Sequence, residues 1–401
     1  MNKYYIKGPK VYSETGIIDN ACVHVADGLI NAIDASDDSS QCYEYPESYH
    51  LVPGFIDLHI HGANGFDVMD ASKDALAGIS AALLKEGVTS FLATTMTSDI
   101  SAIERAMNAC KNFIASKSKG ATMLGLHLEG PFISTKKTGA QNAKNIIAPD
   151  IDKFKELQTA SGNNIKIVTL APECQNSEAL IDYLQQQKII ASIGHSDATF
   201  AEAKDAFAKG ANYTTHLFNA MRGIHHREPG CVTAALLDDN VWVEIIADGK
   251  HLHPEIINLI LKLKGIDKTI LITDAMRAKC MQDGVYDLGG QDVTVKNNTA
   301  TLSDGTLAGS LLKIPDALKN IIKYTKLDLS NAVKMVTENP AKALGVFDRI
   351  GSIKVGKNAD LVVLDEKFNV VEVFQYKGLS FPRRRTTVRR IGIINTHPPF
   401  L

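Results

Sequence analysis

The stretch MLGLHLEGPF, from Met123 to Phe132, decides the fold that this sequence predicts. It begins as an apolar run, which is typical of a buried strand, and it breaks at Gly130-Pro131, where neither residue prolongs a sheet. The predicted strand therefore ends at Glu129. In a parallel α/β barrel, the carboxyl ends of the strands form the face where chemistry is assembled, so a carboxylate delivered there is a candidate metal ligand or base.

The composition is that of a soluble globular protein with room for two domains. The chain has 401 residues, of which 45% are hydrophobic, and its formal net charge is -2. A net charge this close to zero creates no electrostatic field that would attract nucleic acid or anionic lipid. No apolar run approaches the roughly 20 residues that span a bilayer, and the start lacks the apolar core of a signal peptide, so we expect a cytoplasmic protein. The six cysteines include no C-x-x-C pair and are expected to be reduced thiols.

Strand-like apolar runs alternate with helix-like segments through the middle of the chain. Eight such runs occur: LVPGFIDLHIHG, VTSFLATTM, MLGLHLEG, IKIVTLAPE, KIIASIGHSD, NYTTHLFNA, VWVEIIADG and TILITDAM. Helical patterns over residues 74–85, 103–115, 179–187 and 201–209 separate several of them, as right-handed crossovers require. Eight repeats close a (β/α)8 barrel of the TIM type. An open Rossmann-type sheet is the weaker alternative, because no G-x-G-x-x-G turn follows the first strand.

The two ends of the chain have a different texture, with short β-like pieces between glycines and acidic residues. ACVHVADGLINAID near the start is matched by ADLVVL and NVVEVFQY near the end. We therefore predict a small β-sandwich domain formed by residues 1–50 with 346–380, and a barrel domain formed by residues 51–345. Residues 381–401 are rich in arginine, which favours a flexible tail over a basic docking segment.

Side chains that bind metals stand near the ends of five predicted barrel strands. They are His59 and His61 on the first strand, Glu129 on the third, His195 on the fifth, His216 on the sixth and Asp274 on the eighth. The two-residue spacing of the first pair places both imidazoles on one side of the strand. These nitrogen and oxygen ligands suit zinc or iron. A single histidine of this kind is ordinarily structural, but the joint placement predicts a metal site. His127 remains open between a structural residue and a ligand.

Six motifs resemble, in order and spacing, those of the N-acetylglucosamine-6-phosphate deacetylases of the amidohydrolase superfamily: PGFIDLHIHG, HLEGPFI, IGHSDA, THLFNAM, ADGKH and ITDAM. The resemblance extends from residue 1 to about residue 375. HLEGP followed by THLFNAM is the specific part, whereas H-x-H after PGFID marks only the wider superfamily. The resemblance implies a metal-dependent hydrolase that converts N-acetylglucosamine 6-phosphate to glucosamine 6-phosphate and acetate, in amino-sugar catabolism.

The resemblance also implies roles for the strand-end residues. Glu129, His195 and His216 would be the principal metal ligands, and Asp274 would carry a proton from the attacking water to the departing nitrogen. Some members have lost the first-strand histidine pair and keep one metal, whereas this chain retains the pair. One or two divalent ions, zinc or iron, are therefore implied. The candidate bridge is a glutamate and not a carbamylated lysine, which argues against hydantoinase or dihydroorotase chemistry.

The loops after the strands supply candidates for the substrate pocket. Residues 219–230, after the sixth strand, include two arginines and two histidines, and an arginine fork suits phosphate. His251, after the seventh strand, is a candidate for sugar or phosphate contact. The resemblance implies a homodimer in which Arg227 reaches the phosphate in the neighbouring active site. It also implies ligand contacts for a further set of residues: Ala140, Gln141, Asn219, Ala220 and Leu307.

Three questions stay open from sequence alone. Gln141 stands where some members have histidine, so its part in polarising the acetyl carbonyl is in doubt. Residues 304–310 form either a cap over the sugar or an ordinary β-turn. The function itself has two rivals, an amidohydrolase that acts on a different N-acyl substrate and a sugar-phosphate binder that has lost turnover. The complete set of ligands together with Asp274 disfavours the binder.

Overall fold

The computed structural model describes residues 3–36, 40–116 and 119–376, and the backbone alone of residues 379–380. The described residues form two compact units. One contains the residues up to Gly54 together with those from Phe347, and the other runs from Phe55 to Val346. The arginine-rich segment 381–401, for which a flexible tail is predicted, lies outside the described residues.

The larger unit is a (β/α)8 barrel, which confirms the predicted fold. Its eight parallel strands pair in the order in which they occur along the chain. The strands are Phe55–Ile60, Val88–Thr95, Thr122–Glu129, Ile165–Leu170, Ile190–Ile193, Tyr213–Thr214, Trp242–Ile245 and Thr269–Leu271. A helix follows each strand, and the eight helices are Lys73–Leu84, Ile100–Ala115, Ile151–Ala160, Ser177–Gln186, Phe200–Ala208, Gly230–Leu237, Pro254–Lys264 and Ile314–Thr325. Each predicted apolar run overlaps one of these strands.

The barrel closes between its first and last strands. The main-chain N–H of Asp274 donates to the carbonyl of His59 at 2.9 Å. The Thr273 hydroxyl donates to Oδ2 of the buried Asp57 at 2.6 Å. This seam brings the end of the first strand beside the end of the eighth, so residues that are more than two hundred positions apart become neighbours.

Capping side chains and apolar spacing explain where the barrel helices form. Ser72 accepts a hydrogen bond at the start of the first helix, and Thr199 and Glu202 form a capping box at the start of the fifth. The second helix buries Ile103 and Met107, which lie four residues apart on one face. The helices therefore cover the outside of the barrel with their apolar faces.

An antiparallel meander lies between the eighth barrel strand and its helix, and it was not predicted. Its strands are Gly284–Leu288, Gln291–Lys296 and Thr299–Thr301. The alternation of buried Val293 and Val295 with exposed neighbours is the signal that could have predicted it. The chain then turns back, because the main-chain N–H of Gly305 donates to the Leu302 carbonyl at 3.0 Å and that of Leu302 donates to the Thr306 carbonyl at 2.8 Å. Residues 304–310 therefore begin in a β-turn.

Shorter elements complete the larger unit. They are the strands Gly62–Ala63 and Phe66–Asp67, the 3-10 helices Val68–Asp70 and Ala143–Asn145, and the helices Leu329–Lys334 and Glu338–Ala343. All six cysteines lie among the described residues, and none forms a disulfide. No helix in the described part of the chain combines the length and apolarity needed to cross a bilayer.

The smaller unit contains two sheets, and the six-stranded one combines strands from both ends of the chain. The four-stranded sheet has the order Leu29–Asp34, Cys22–Ala26, Lys3–Lys7 and Gln41–Glu44. The six-stranded sheet has the order Leu379–Ser380, Val370–Gln375, Leu361–Leu364, His50–Pro53, Lys10–Ser13 and Gly16–Ile18. The two ends of the chain pair where Leu361–Leu364 runs antiparallel to His50–Pro53. Apolar residues of both sheets share one core, among them Ile6, Val23, Leu51 and Val363.

Candidate metal centre and substrate pocket

A cavity of about 250 Å³ lies at the carboxyl ends of the barrel strands. Every predicted site residue lines it except His59 and Arg227. The lining also includes residues that were not predicted: Met96, Gly139, Leu288, Thr306 and Gly309. Leu288 belongs to the meander, so it was missed because the meander itself was not predicted. Thr306 and Gly309 lie in residues 304–310, which were considered as a cap, although neither was named as a site residue.

One oxygen of Glu129 meets two histidines from neighbouring strands. Its Oε1 atom lies 3.1 Å from Nε2 of His195 and 3.0 Å from Nε2 of His216. The two Nε2 atoms are 3.1 Å apart. All three side chains are buried. We call these three residues the principal group.

The other oxygen of Glu129 faces the first and eighth strands. Its Oε2 atom lies 3.1 Å from Nε2 of His61 and 3.5 Å from Nε2 of His59. Oδ1 of Asp274 lies 3.2 Å from Nε2 of His61 and 3.4 Å from Nε2 of His59. We call His59, His61 and Asp274 the second group. Glu129 is therefore shared, with one oxygen turned to each group.

The chemistry of these atoms fits divalent cations. Nδ1 of His195 lies 3.0 Å from the carbonyl of Lys137, which can only accept, so Nδ1 carries the hydrogen and Nε2 presents a lone pair. That lone pair points at another imidazole nitrogen and a carboxylate oxygen, and a cation between these atoms would stabilise the arrangement. Ligands about 2.0–2.2 Å from a tetrahedral ion lie about 3.3–3.6 Å from one another. The separations in the two groups, from 3.0 to 3.5 Å, are close to this spacing.

The pKa values of the cluster also reflect its need for positive charge. Burial alone would raise the pKa of the Asp274 carboxyl, but the charge of His59 and the hydrogen bond with His61 outweigh it and lower the pKa to about 2. Burial alone would lower the pKa of His61, but its hydrogen bonds with Asp274 and Glu129 raise it to about 9. The carboxylates are therefore ionised at neutral pH, and either protons or metal cations must balance them.

Three candidate ligands have backbones in the left-handed region. Their φ angles are 47° for His195, 29° for His216 and 48° for Asp274. Residues other than glycine are uncommon there, because the conformation costs roughly 1–3 kcal/mol, and they cluster at functional sites. Each of the three lies just beyond the end of its strand, where the turn of the chain directs the side chain into the cavity.

The side chain of Gln141 contacts Glu129 directly. Its Nε2 donates to Oε2 of Glu129 at 2.9 Å, and its Oε1 accepts from the main-chain N–H of Thr97 at 2.7 Å. Only 5% of the residue is exposed. The amide therefore has a fixed orientation against the shared carboxylate, a contact that sequence alone did not suggest.

The remaining predicted pocket residues are held by local contacts. Nδ1 of His251 lies 2.7 Å from Oδ2 of Asp248, so the hydrogen sits on Nδ1 and Nε2 is free to accept. The Ala140 carbonyl accepts from Gln291 at 2.6 Å. Leu307 pairs with the last strand of the meander. Asn219 and Ala220 line the cavity directly after the sixth strand.

Arg227 is the predicted residue that the structure does not bring to the cavity of its own chain. It is exposed, and its Nη1 atom lies 2.8 Å from Nε2 of His226, which is also exposed. Arg222, in the same loop, is paired instead with Asp197, from Nη2 to Oδ2 at 2.7 Å. Of the two loop arginines, Arg227 is therefore the one without a carboxylate partner among the described ion pairs.

Two buried residues stand behind the metal ligands. Nε2 of His127 lies 2.6 Å from Oγ1 of Thr169, and burial lowers the pKa of His127 to about 3, which favours its structural interpretation. Glu244, on the seventh strand, was not predicted, although its Oε2 lies 3.0 Å from Nδ1 of His59. A single acidic residue inside an otherwise apolar barrel strand is the signal that could have found it.

The fold and this cluster define a class of metal-dependent hydrolases. The chain belongs to the amidohydrolase family, which it matches over residues 50–388. It is similar to the N-acetylglucosamine-6-phosphate deacetylase of Bacillus subtilis (strain 168), with 45% identity over 382 residues, 94% of this chain and 96% of that one. The resemblance inferred from the six motifs is thereby confirmed.

Two further comparisons are with deacetylases named for different sugars. The crystal structure of N-acetylglucosamine-6-phosphate deacetylase from Pasteurella multocida superposes with a TM-score of 0.90 and 31% identity, over 95% of this chain and 100% of that one. The N-acetylgalactosamine-6-phosphate deacetylase of Escherichia coli O157:H7 is 35% identical over 371 residues, 92% of this chain and 97% of that one.

Proposed function

We propose that this protein hydrolyses the acetamide of N-acetylglucosamine 6-phosphate to glucosamine 6-phosphate and acetate, in amino-sugar catabolism. The observation that carries the proposal is the shared carboxylate of Glu129, with ligands on both of its oxygens at the mouth of the barrel. The 45% identity to a deacetylase of this specificity supports the choice of substrate. A phosphorylated sugar does not cross a bilayer unaided, so we assign the enzyme to the cytoplasm.

Two divalent ions, zinc or ferrous iron, would be held by the two ligand groups, with one oxygen of Glu129 facing each group. Both ligand groups contain the nitrogen and oxygen donors that these ions accept. When bound, such ions polarise a carbonyl and lower the pKa of water to about 7. This addresses the resonance stabilisation of the acetamide.

Asp274 moves the proton that the reaction requires. It is ionised at neutral pH, its side chain is 12% exposed, and it lines the cavity, so it can accept a proton from the attacking water. It then delivers that proton to the amide nitrogen, which is a poor leaving group until it is protonated. Contact with the second group and proton transfer are compatible roles for the same carboxylate.

The sugar would lie between the metal centre and the loops that line the cavity. His251, held by Asp248, offers a nitrogen acceptor to a sugar hydroxyl. Leu307 and Ala140 provide apolar contact, while Asn219 and Ala220 flank the same space. Gln141 keeps Glu129 oriented. Its amide is neutral, so it places no positive charge beside the acetyl carbonyl.

We assign the phosphate to Arg227 of a second copy in a homodimer. Neither lysine nor arginine lines the cavity among the described residues, so a phosphate there needs a cation from elsewhere. Arg227 is exposed and presents a fork that matches phosphate oxygens.

Acetate release tests the substrate assignment. We expect kcat/KM for N-acetylglucosamine 6-phosphate to exceed that for N-acetylglucosamine by at least about 100-fold, because a site built for a charged group rejects the analogue without it. Equal values for the two would refute the phosphate site. The 35% identity to a galactosamine-specific relative makes N-acetylgalactosamine 6-phosphate the second candidate, and a higher kcat/KM for it would replace the first.

Complementation tests the role of Arg227 in the neighbouring site. Arg227→Ala and Asp274→Asn should each be nearly inactive alone. When the two chains are coexpressed, half of the dimers are mixed and one of their two sites is complete, so about one site in four should regain activity. Arg222→Ala, in the same loop, is the matched control and should keep its activity. No recovery in the mixed dimers would mean that Arg227 does not act across an interface.

A further inference from the structure

Glu244 occupies a position that the proposed mechanism does not use. It lies on the seventh barrel strand between the buried residues Val243 and Ile245, and none of its surface is exposed. Because successive side chains of a strand point to opposite faces, Glu244 faces the barrel interior while its neighbours face the helices. A carboxylate in this environment is costly unless its oxygens are fully hydrogen-bonded.

Three donors converge on this carboxylate. Its Oε2 accepts from Nδ1 of His59 at 3.0 Å and from the main-chain N–H of His216 at 3.1 Å. Its Oε1 accepts from the Tyr213 hydroxyl at 3.0 Å. Glu244 therefore contacts one candidate ligand from each of the two groups.

The contact with His59 fixes both the tautomer and the orientation of that ring. An ionised carboxylate only accepts, so the hydrogen of the imidazole lies on Nδ1. Nε2 is then the nitrogen that can offer a lone pair to an ion, and it is the atom 3.3 Å from Nε2 of His61 and 3.4 Å from Oδ1 of Asp274. Carboxylates that hold metal-binding histidines in this way orient the ring and raise its basicity.

We propose that Glu244 is a positioning residue for the second metal ion, acting through His59. The inference rests on the two-ion site of the proposed function, and it adds a residue that neither the motifs nor the cavity lining identified. Tyr213 orients the carboxylate in turn, through its other oxygen.

The alternative is that Glu244 binds an ion itself, together with His59 and His127. The partners of His127 argue against it. Its Nε2 lies 2.6 Å from the Thr169 hydroxyl and its Nδ1 lies 3.4 Å from the Leu58 carbonyl, so both nitrogens are directed at protein atoms. The proposal thus requires two ions per chain and not three.

Metal binding to the whole chain, without substrate, tests the proposal. Zinc affinities of the two sites would be measured by competition with a chelator, and the metal-free proteins would be compared by thermal unfolding. Glu244→Leu should lower the affinity for the second ion by about 10- to 100-fold, the range for loss of such a supporting contact. The affinity for the first ion should fall less, since His195 is held separately by the Lys137 carbonyl.

Two variants separate positioning from folding. Glu244→Gln keeps an acceptor for His59 and loses the charge, so its effect on the second ion should lie between those of wild type and Glu244→Leu, with metal-free stability unchanged. Tyr213→Phe should lower the stability of the metal-free protein, because Oε1 of Glu244 loses its partner. It should leave zinc affinity within about twofold, since the contact with His59 remains.

The proposal is overturned if both Glu244 variants bind the second ion as tightly as wild type. It is also overturned if wild type binds one ion or three, or if zinc affinity falls only in proportion to metal-free stability across all three variants. Acetate release is measured in parallel. Normal metal results without acetate release would refute the proposed function and leave the role of Glu244 standing.

Discussion

The two ligand groups that meet at Glu129 are held in place by different parts of the barrel. His59 lies on an extended strand, and its ring is fixed from the barrel interior by Glu244. His195 lies beyond the end of its strand, and its ring is fixed by the main-chain carbonyl of Lys137, in a loop. The second group thus depends on the packing of the barrel interior, whereas the principal group depends on loop conformation.

The same contrast appears in the backbone. His195 and His216 have positive φ angles, and the left-handed region is absent from the first-strand pair. Asp274 combines the two patterns, because it has a positive φ and its main-chain N–H is bonded to the first strand. A ligand on a strand needs no unusual backbone, while a ligand past a strand end needs a turn that holds it. Substitutions can therefore affect one group and spare the other.

The largest effect is expected where both groups meet. Glu129→Gln removes the charge shared by the two ions, so both should be lost and activity should fall to background. Elemental analysis and acetate release would measure this. Glu228→Gln is the control, because that carboxylate instead accepts from the main-chain N–H of Phe200. A Glu129→Gln protein that retains two ions would show that the metal site lies elsewhere.

The next effect should separate proton transfer from metal binding. Asp274→Asn keeps an oxygen facing His59 and His61 but cannot carry a proton at neutral pH. Metal content should stay near normal while kcat falls by about 10²–10⁴, the usual contribution of a general acid–base group. Near-normal kcat would refute the role of Asp274 in proton transfer.

A smaller effect should distinguish the two ions. His59→Gln removes a ligand of the second group alone, so the protein should keep one ion per chain and lose about 10- to 100-fold in activity. His253→Gln, an exposed residue that caps a helix, is the matched control. Loss of both ions from His59→Gln would mean that the two groups are not independent, contrary to the comparison above.

The smallest effect concerns the support of Glu129. Gln141→Ala leaves the buried main-chain N–H of Thr97 without its partner, so unfolding should become easier by about 1–3 kcal/mol. Gln141 contacts Oε2 of Glu129, the oxygen that faces the second group. The affinity for the second ion should therefore fall more than the affinity for the first.

Gln158→Ala is the control for this last variant. Gln158 also accepts from a main-chain N–H, that of Ile165, but far from the cavity lining. The Gln158→Ala substitution should lower the free energy of unfolding without any change in metal affinity. Equal weakening of both ions by Gln141→Ala would contradict the assignment of one oxygen to each group.

Much of the barrel could be predicted from the sequence because its signals are local. Each buried strand reads as an apolar run, and the polar residue that ends it stands beside that run, as Glu129 does after MLGLHL. The sixth strand is only two residues long, yet NYTTHLFNA still marked its position. The placement of the candidate ligands at one mouth then followed from the rule that parallel strands end on one face.

The support of the ligands could not be predicted, because it depends on distant contacts. Glu244 lies 185 residues from His59, and its neighbours in VWVEII do not indicate which residue it contacts. The contact between Gln141 and Glu129 spans a loop whose path the sequence does not define. Leu288 reached the cavity only through the meander, whose alternation was present in the sequence but was not used.

Anomalous diffraction from crystals of the zinc-loaded protein tests the central claim most directly. Two peaks about 3.5–4 Å apart, the separation usual for paired metal sites, should flank Glu129. One should lie beside His195 and His216 and the other beside His59, His61 and Asp274. A single peak, or two peaks that do not share Glu129, would contradict the account.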